Sequence, residues 1–249
     1  MKKNIDSMEV WEFGAIGIAN PSQSTLKRYF ELINLTQGVN GDIAEFGVSK
    51  GNSIITSALV LRNMNIDKKV YGFDTFAGFP GYALNDNFEV FADLHKSGGI
   101  SEDHYRKVLL NQEYILSRGA KTSPDSISNS ADFANTSLNL VQNKIKLFNL
   151  ENQIRLVKGD FTENLSAKIS ELTFSLILID SDLYDSYAKT LPVLWEKLSP
   201  GGYIYLDEYY SLKFPGPRIA VDDFVNQTDC NLIRLGDWLD FERWAIHKK

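Results

Sequence analysis

Five short stretches of the chain are almost continuously apolar and rich in β-branched or aromatic residues: 43–48 (IAEFGV), 69–74 (KVYGFD), 154–158 (IRLVK), 174–180 (FSLILID) and 203–207 (YIYLD). Runs of this length and composition read as strands. Between them, apolar residues recur at helical spacing over 53–63, 136–149, 162–170 and 185–198, the last stopped by Pro200-Gly201-Gly202. Strand and helix alternate, which predicts an α/β fold: right-handed crossovers, a mostly parallel sheet, and helices on both faces. After 207 the rhythm changes to a helix-like segment at 217–226 and two short runs, 231–235 and 241–247, which predict a closing antiparallel hairpin.

One region interrupts the alternation. Residues 75–134 hold no convincing strand, carry Gly78, Pro80, Gly81, Gly98, Gly99 and Gly119, and contain one helix-like stretch, SEDHYRKVLLNQEYILSRG. A connection this long predicts a lid or binding loop inserted after the second strand. Its Phe76, Phe79, Tyr82, Phe88, Phe91 and Tyr105 suit either stacking on a sugar or aglycone face or a local mini-core. The tract SPDSISNSADFANTS reads equally as a mobile surface loop or a substrate gate. The whole chain, 1–249, is expected to be one domain. Residues 1–23 precede its first recognisable element, and their Met8, Val10, Trp11, Phe13, Ile16 and Ile18 are expected to form an interface in a homo-oligomer.

Charge and composition narrow the partners. With 26 basic against 32 acidic residues, a net charge of -6 and no Lys/Arg-rich run, the chain offers no extended nucleic-acid surface. Cys230 is the single cysteine, which excludes an internal disulfide and a cysteine zinc cluster and fits a reducing compartment. Asp6, Glu9 and Glu12 interrupt any signal core. No apolar run approaches the roughly 18 residues of a membrane helix. A cytoplasmic protein acting on small molecules, with no membrane partner, is expected.

The ends of the strands carry the chemistry. GDIAEFGVSKGNS places Glu45 inside the first strand, with Gly47, Gly51 and Ser53 in the turn that opens the first helix. Ligands of parallel α/β sheets bind beyond the carboxyl ends of the strands, and glycines there admit a ligand to the backbone. The spacing is GxxxG, not the GxGxxG of a dinucleotide site, and Glu45 suits a cationic ligand better than a pyrophosphate. The second strand ends in Asp74, placed to accept from both hydroxyls of a ribose. The third runs into KGDF, where Asp160 suits an adenine amino group and Phe161 its ring. Together these ends describe an adenosine that carries a cation, and S-adenosylmethionine is the common cofactor of that description.

The stretch LILIDSDLYDSY then gathers Asp180, Asp182 and Asp185, and GGYIYLDEYY adds Asp207 and Glu208 from the next strand. Neighbouring strand ends lie about 5 Å apart, so these acids converge. Like charges that converge need a counter-ion. Oxygen ligands without His or Cys favour Mg²⁺ or Mn²⁺ over zinc. The plainer alternative makes Asp180 a helix cap and Asp207 and Glu208 solvated loop acids.

AEFGVSKG, VYGFDTFAGFP, LILIDSDLYDSY, LSPGGYIYLDEY and GPRIAVDDF, in this order over residues 24–247, resemble the macrocin O-methyltransferase family. The resemblance implies a metal-dependent class I methyltransferase with a Rossmann-like sheet that modifies sugars of antibiotics and related glycosides. It implies that Glu45, Gly47, Asp74 and Asp160 hold the cofactor; Gly51, Ser53, Phe76 and Phe161, close to them in the chain, are further cofactor candidates. It further implies that Asp180, Asp207 and the following acid bind Mg²⁺ and that Asp182 is the general base. The family usually has a second Asp where this chain has Glu208. His95 and His104 are rival bases for which a surface role is expected. Two other functions compete: an NAD(P)-dependent sugar dehydrogenase or epimerase, which GxxxG disfavours, and a catalytically silent binding protein, which the kept acids disfavour.

Overall fold

The computed structural model describes residues 20–22, 24–236 and 241–249. Most of the N-terminal segment 1–23, with all its apolar residues named above, lies outside the described residues. Seven strands form one sheet: β1 (Asp42–Phe46), β2 (Val70–Asp74), β3 (Ile154–Lys158), β4 (Phe174–Ile179), β5 (Leu198–Leu206), β6 (Asn231–Leu235) and β7 (Arg243–His247). Their order is β3-β2-β1-β4-β5-β7-β6. The first five are parallel, and β7 pairs antiparallel with both β5 and β6, closing the sheet as the hairpin signal predicts. β4, buried at all six positions, is the central ridge of the core.

Helices cover both faces because each presents one apolar side. On one face α1 (Lys27–Leu35), α2 (Asn52–Asn63) and, after the insertion, a helix at Leu138–Leu147 pack Tyr29, Ile54, Val141 and Ile145 against Ile43, Leu176 and Leu178. On the other, helices at Leu165–Lys168, Tyr184–Lys197 and Gly216–Gln227 pack Leu165, Tyr187, Leu191 and Val221 against Phe46, Phe73, Ile177 and Ile179. The 162–170 segment shortens to four helical residues, and α1 is a helix the sequence reading did not assign. Among the described residues no helix is long and apolar enough to cross a membrane.

Pro200-Gly201-Gly202 is a correction. It does not separate helix from strand, because β5 begins at Leu198, directly after the helix ends at Lys197. Leu198 pairs with Phe174, the register then slips, and Tyr203 pairs with Leu176. Proline is tolerated at such a bulge. Gly202 lets the chain pass Ser175, since a Cβ there would come 2.8 Å from the Ser175 carbonyl oxygen.

The insertion after β2 builds its own small core. Numbered with the rest of the chain, its helices are α3 (Val90–Lys96) and α4 (Glu102–Ser117), preceded by a turn at Leu84–Asp86; the later helices are then α5 (Leu138–Leu147), α6 (Leu165–Lys168), α7 (Tyr184–Lys197) and α8 (Gly216–Gln227). Ser101 caps α4 by accepting from the His104 amide. Phe88, Phe91, Ile100, Val108 and Ile115 pack together and against Leu183 and Phe214 of the main fold. Phe88 and Phe91 thus follow the mini-core alternative, and Tyr105 stacks on His95 at 4.5 Å. His104 departs from the expected surface role. It is buried, its Nε2 lies 2.7 Å from the Ser211 carbonyl oxygen, and its ring stacks on Tyr210.

At the carboxyl edge of the sheet β1 and β4 come so close that Gly47 has room for no side chain. A Cβ there would lie 1.8 Å from the Asp180 carbonyl oxygen, and its φ of +96° is itself unfavourable for any other residue. Gly47→Ala should therefore destabilise the protein by about 2–5 kcal/mol, overpacking and backbone strain combined. Urea unfolding reads this directly, and an unchanged midpoint would refute the close approach.

Candidate functional site

The carboxyl ends of β1 to β4 open onto a cavity of about 740 Å³. The loop after β1 turns sharply through Gly47, Ser49 (φ +49°) and Gly51 (φ +80°) before α2 begins. Asp74, at the end of β2, fastens this loop: its Oδ2 accepts from the Ser49 amide at 2.8 Å and its Oδ1 from the Phe76 amide at 2.5 Å. Asp160, after β3, accepts from both the amide (2.8 Å) and the hydroxyl (2.7 Å) of Thr162. Asp74, Asp160 and Phe161 all line the cavity, and Phe161 sets its ring edge-on to Phe46 at 5.4 Å.

Other expected cofactor residues shape the cavity from behind. Glu45 is fully buried below the loop, where Ser53 Oγ donates to its Oε1 at 2.6 Å while Oε2 has no partner. Gly51 packs against Val141, and Phe76 lies in the core with Val48 and Ile54; neither is a wall residue. Gly47 and Ser53 do reach the wall. So do Ser24, Thr25 and Leu26 ahead of α1, and Phe79, Asn129, Phe133 and Asn135 from the two ends of the insertion. Phe79 and Phe133 pair at 5.2 Å, and Thr136 Oγ1 donates to the Ser49 carbonyl at 2.6 Å, which ties the Ser/Asn-rich tract to the glycine loop. No local pattern marked Ser24–Leu26 or Phe133, because only the fold brings them to this edge.

Beside the cavity the acids converge. Asp180, Asp207 and Glu208 each present a carboxylate oxygen within 4.8 Å of the others. Burial, followed by the charge of Asp207, pushes the Asp180 and Glu208 carboxyls well above the usual range. Glu208 Oε2 accepts from the Tyr187 hydroxyl at 2.6 Å and from the Asp182 amide at 3.3 Å. Arg243 Nη1 donates to the Asp207 carbonyl at 3.0 Å and lies 3.4 Å from its Oδ1, a charge contact without hydrogen-bond geometry. Asp180 and Asp182 line the cavity; Asp207 and Glu208 do not. Neither His95 nor His104 does, which places both rival bases away from it.

A missing positive partner fits this edge on a separate observation. Among the described residues four buried side-chain polar atoms lack a hydrogen-bond partner: Glu45 Oε2, Ser181 Oγ, Tyr205 Oη and Asp207 Oδ1. All belong to β1, β4 and β5 or the residues just after them. A buried polar atom without a hydrogen bond costs roughly 1–3 kcal/mol, so their concentration at this edge fits a bound partner, although Asp207 Oδ1 already faces Arg243 at 3.4 Å. Carboxylates supply three of the donors in reach, the set a hard divalent cation prefers.

The buried acids also govern stability. Burial pushes Glu45 up to about 8, with the Ser53 hydrogen bond opposing and the charge of Asp74 adding to the rise. Asp182 rises to about 7 through burial and the charge of Asp207, with Lys213 opposing. In the unfolded chain both ionise near about 4. Between that value and their folded values the native state holds protons that the unfolded state has lost, so stability falls as pH rises through this window. The melting temperature of the ligand-free protein should therefore drop between pH 5.5 and pH 8. Glu45→Gln should flatten the profile, and an equally steep fall in that variant would exclude Glu45 as a cause.

Two similar proteins of Streptomyces are the demethyldecarbamoylnovobiocin O-methyltransferase of S. niveus, 27% identical over 195 residues, and the 8-demethyl-8-(2,3-dimethoxy-alpha-L-rhamnosyl)-tetracenomycin-C 4'-O-methyltransferase of S. olivaceus, 30% identical over 193 residues. The matches cover 77% and 76% of this chain, and the chain spans 60% of the length of each relative. Among solved structures, the calicheamicin methyltransferase CalS11 superposes with a TM-score of 0.63 at 18% identity, over 98% of this chain and 88% of that one. The O-methyltransferase NovP superposes with a TM-score of 0.61 at 24% identity, over 90% and 78%. These likenesses are of fold, and they give the class I methyltransferase sheet that the strand order describes. The family model described as Macrocin-O-methyltransferase (TylF) matches residues 16–109 and 115–234, and the chain belongs to that family.

Proposed function

We propose that the protein transfers a methyl group from S-adenosylmethionine to a hydroxyl of a sugar in a glycoside or related natural product, with Mg²⁺ or Mn²⁺ held at the acid cluster. The observation that carries this reading is the meeting, at one sheet edge, of a cavity lined by Asp74 and Asp160 with the cluster of Asp180, Asp207 and Glu208. The acceptor class is drawn from the relatives whose names specify sugar or natural-product substrates.

Each residue has a part. Asp74 and Asp160 keep acceptor capacity for the ribose hydroxyls and the adenine amino group, beyond the amides each already receives. Glu45 Oε2, unpartnered behind the wall, would accept from an ammonium group once the carboxyl gives up its proton, and Gly47, Ser49 and Ser53 line the cavity. Phe161 offers a ring to the adenine, while Phe76 supports the turn through its amide and core packing. Asp180, Asp207 and Glu208 would hold the cation. When bound, the cofactor supplies an electrophilic methyl group and the cation makes the acceptor hydroxyl more acidic and fixes its orientation. Asp182 takes the acceptor proton on its carboxylate. It lines the cavity beside the cluster, where the acceptor hydroxyl would enter. Glu208, by accepting from the Asp182 amide, holds that residue at φ +63°.

Calorimetry with S-adenosylhomocysteine, with and without Mg²⁺, followed by a glycoside panel assayed for methyl transfer, tests the reading. Turnover should vanish in EDTA and return with Mg²⁺ or Mn²⁺; full activity in EDTA would remove the cation from the proposal. Asp182→Asn should keep S-adenosylhomocysteine binding and lose about 10² to 10⁴ in kcat. Asp74→Ala should weaken that binding by a few kcal/mol, at about 1.5–3 kcal/mol for each charge-assisted contact.

The same reading includes a homo-oligomer, supported by the apolar composition of residues 1–23. Light scattering at micromolar concentration should give a dimer or larger, and a monomer with and without cofactor would count against it.

A further inference from the structure

α7 begins two residues after Asp182, yet its own N-cap, Leu183, has no side chain able to cap it. The cap comes instead from the insertion. Asp86, 98 residues earlier in the chain and 1% exposed, accepts from the Tyr184 amide through Oδ1 at 2.7 Å. Its Oδ2 accepts from the Ala83 amide at 2.9 Å, which closes the turn Leu84–Asp86 around the same carboxylate. A third element makes room. Gly216, the first residue of α8, has an ordinary φ, but a Cβ there would lie 2.3 Å from Asp86 Oδ1 and 2.7 Å from Tyr184 Cβ. Glycine is thus needed here for space alone, and the space is filled by the Asp86 carboxylate.

We propose that Asp86 is a positioning residue: it bolts the insertion to the first turn of α7 and thereby fixes the loop that carries Asp180, Ser181 and Asp182. The inference rests on the cation reading above for its consequence but on the three-way junction for its geometry. A carboxylate at the amino end of a helix also meets the positive end of the helix dipole, which stabilises the same arrangement. The Asp180–Asp182 loop has few other ties. The Asp182 amide reaches Glu208 at 3.3 Å, the Asp180 amide reaches the Phe46 carbonyl, and Asp182 itself has a left-handed backbone that needs outside support. Asp86 supplies that support from the lid side, while Glu208 supplies it from the sheet side. Lid docking and the geometry of the acid cluster therefore change together.

Three variants separate this role from simple packing. Asp86→Ala removes the cap, Gly216→Ala wedges the junction open with the carboxylate intact, and Asp86→Asn, which keeps an acceptor oxygen for the Tyr184 amide but sets its NH2 against the Ala83 amide, should rescue part of the loss. Mn²⁺ binding followed by electron paramagnetic resonance should weaken about tenfold in Asp86→Ala and Gly216→Ala and recover to within about threefold in Asp86→Asn, while calorimetric affinity for S-adenosylhomocysteine stays within about twofold. Hydrogen exchange should rise at 181–187 as well as at 83–90. Unchanged Mn²⁺ affinity with extra exchange confined to the insertion would overturn the proposal. If the unaltered protein binds no Mn²⁺, the cation reading fails on its own, and exchange at 181–187 still decides the role of Asp86: a rise upholds it and no change refutes it. Should Asp86→Ala fail to fold, Gly216→Ala and Asp86→Asn carry the same comparison.

Discussion

Like charges brought together out of water set the terms for the whole sheet edge. Asp180, Asp207 and Glu208 stand within 4.8 Å of one another, and Asp182 is beside them. In a low-dielectric setting that proximity is strongly unfavourable when all are ionised. The fold contains the repulsion by three means. Burial and neighbouring charge push the Asp180 and Glu208 carboxyls upward, which disfavours ionising them together, Arg243 lies against Asp207, and the Tyr187 hydroxyl and Asp182 amide donate to Glu208. None gives Asp207 Oδ1 a hydrogen bond. The edge is thus arranged at a cost in stability, as strained functional sites commonly are.

Rigid surroundings hold this arrangement in place. The close approach of Gly47 to Asp180 locks β1 to β4 where the first acid emerges, and Asp74 locks the glycine loop to the turn after β2. The insertion is not a loose flap on this frame. Its apolar cluster reaches Leu183 and Phe214, and His104, Asn111 and Asp86 each bond to backbone near the acids, at Ser211, Leu212 and Tyr184. Polar anchors within an apolar seam specify one docking geometry, where apolar contact alone would tolerate sliding.

The departure at Glu208 acquires a reason from this framework. A longer arm than aspartate lets the carboxylate reach both the Tyr187 hydroxyl and the Asp182 amide. Glu208 is thereby a brace for Asp182. Tyr187, which stood between the acids in the sequence without an evident role, is its partner.

The sequence by itself determined the alternation of strands and helices, the closing hairpin, the long insertion after the second strand and the placement of Glu45, Asp74, Asp160, Asp180 and Asp207 at strand ends. These follow from hydrophobic period and from where each apolar run stops, which are local properties of the chain. What only the tertiary structure decided depends on partners far apart in sequence. Pro200-Gly201-Gly202 became a bulge within β5 because its register is set against β4. Phe76 and His104 went into packing, not to the cavity wall, because the space beside them was apolar or offered a carbonyl. Asp86, one polar residue among many in a glycine-rich stretch, became the cap of a helix 98 residues away. No local pattern encodes such a contact, since it exists only once the insertion has folded back over the ends of the sheet.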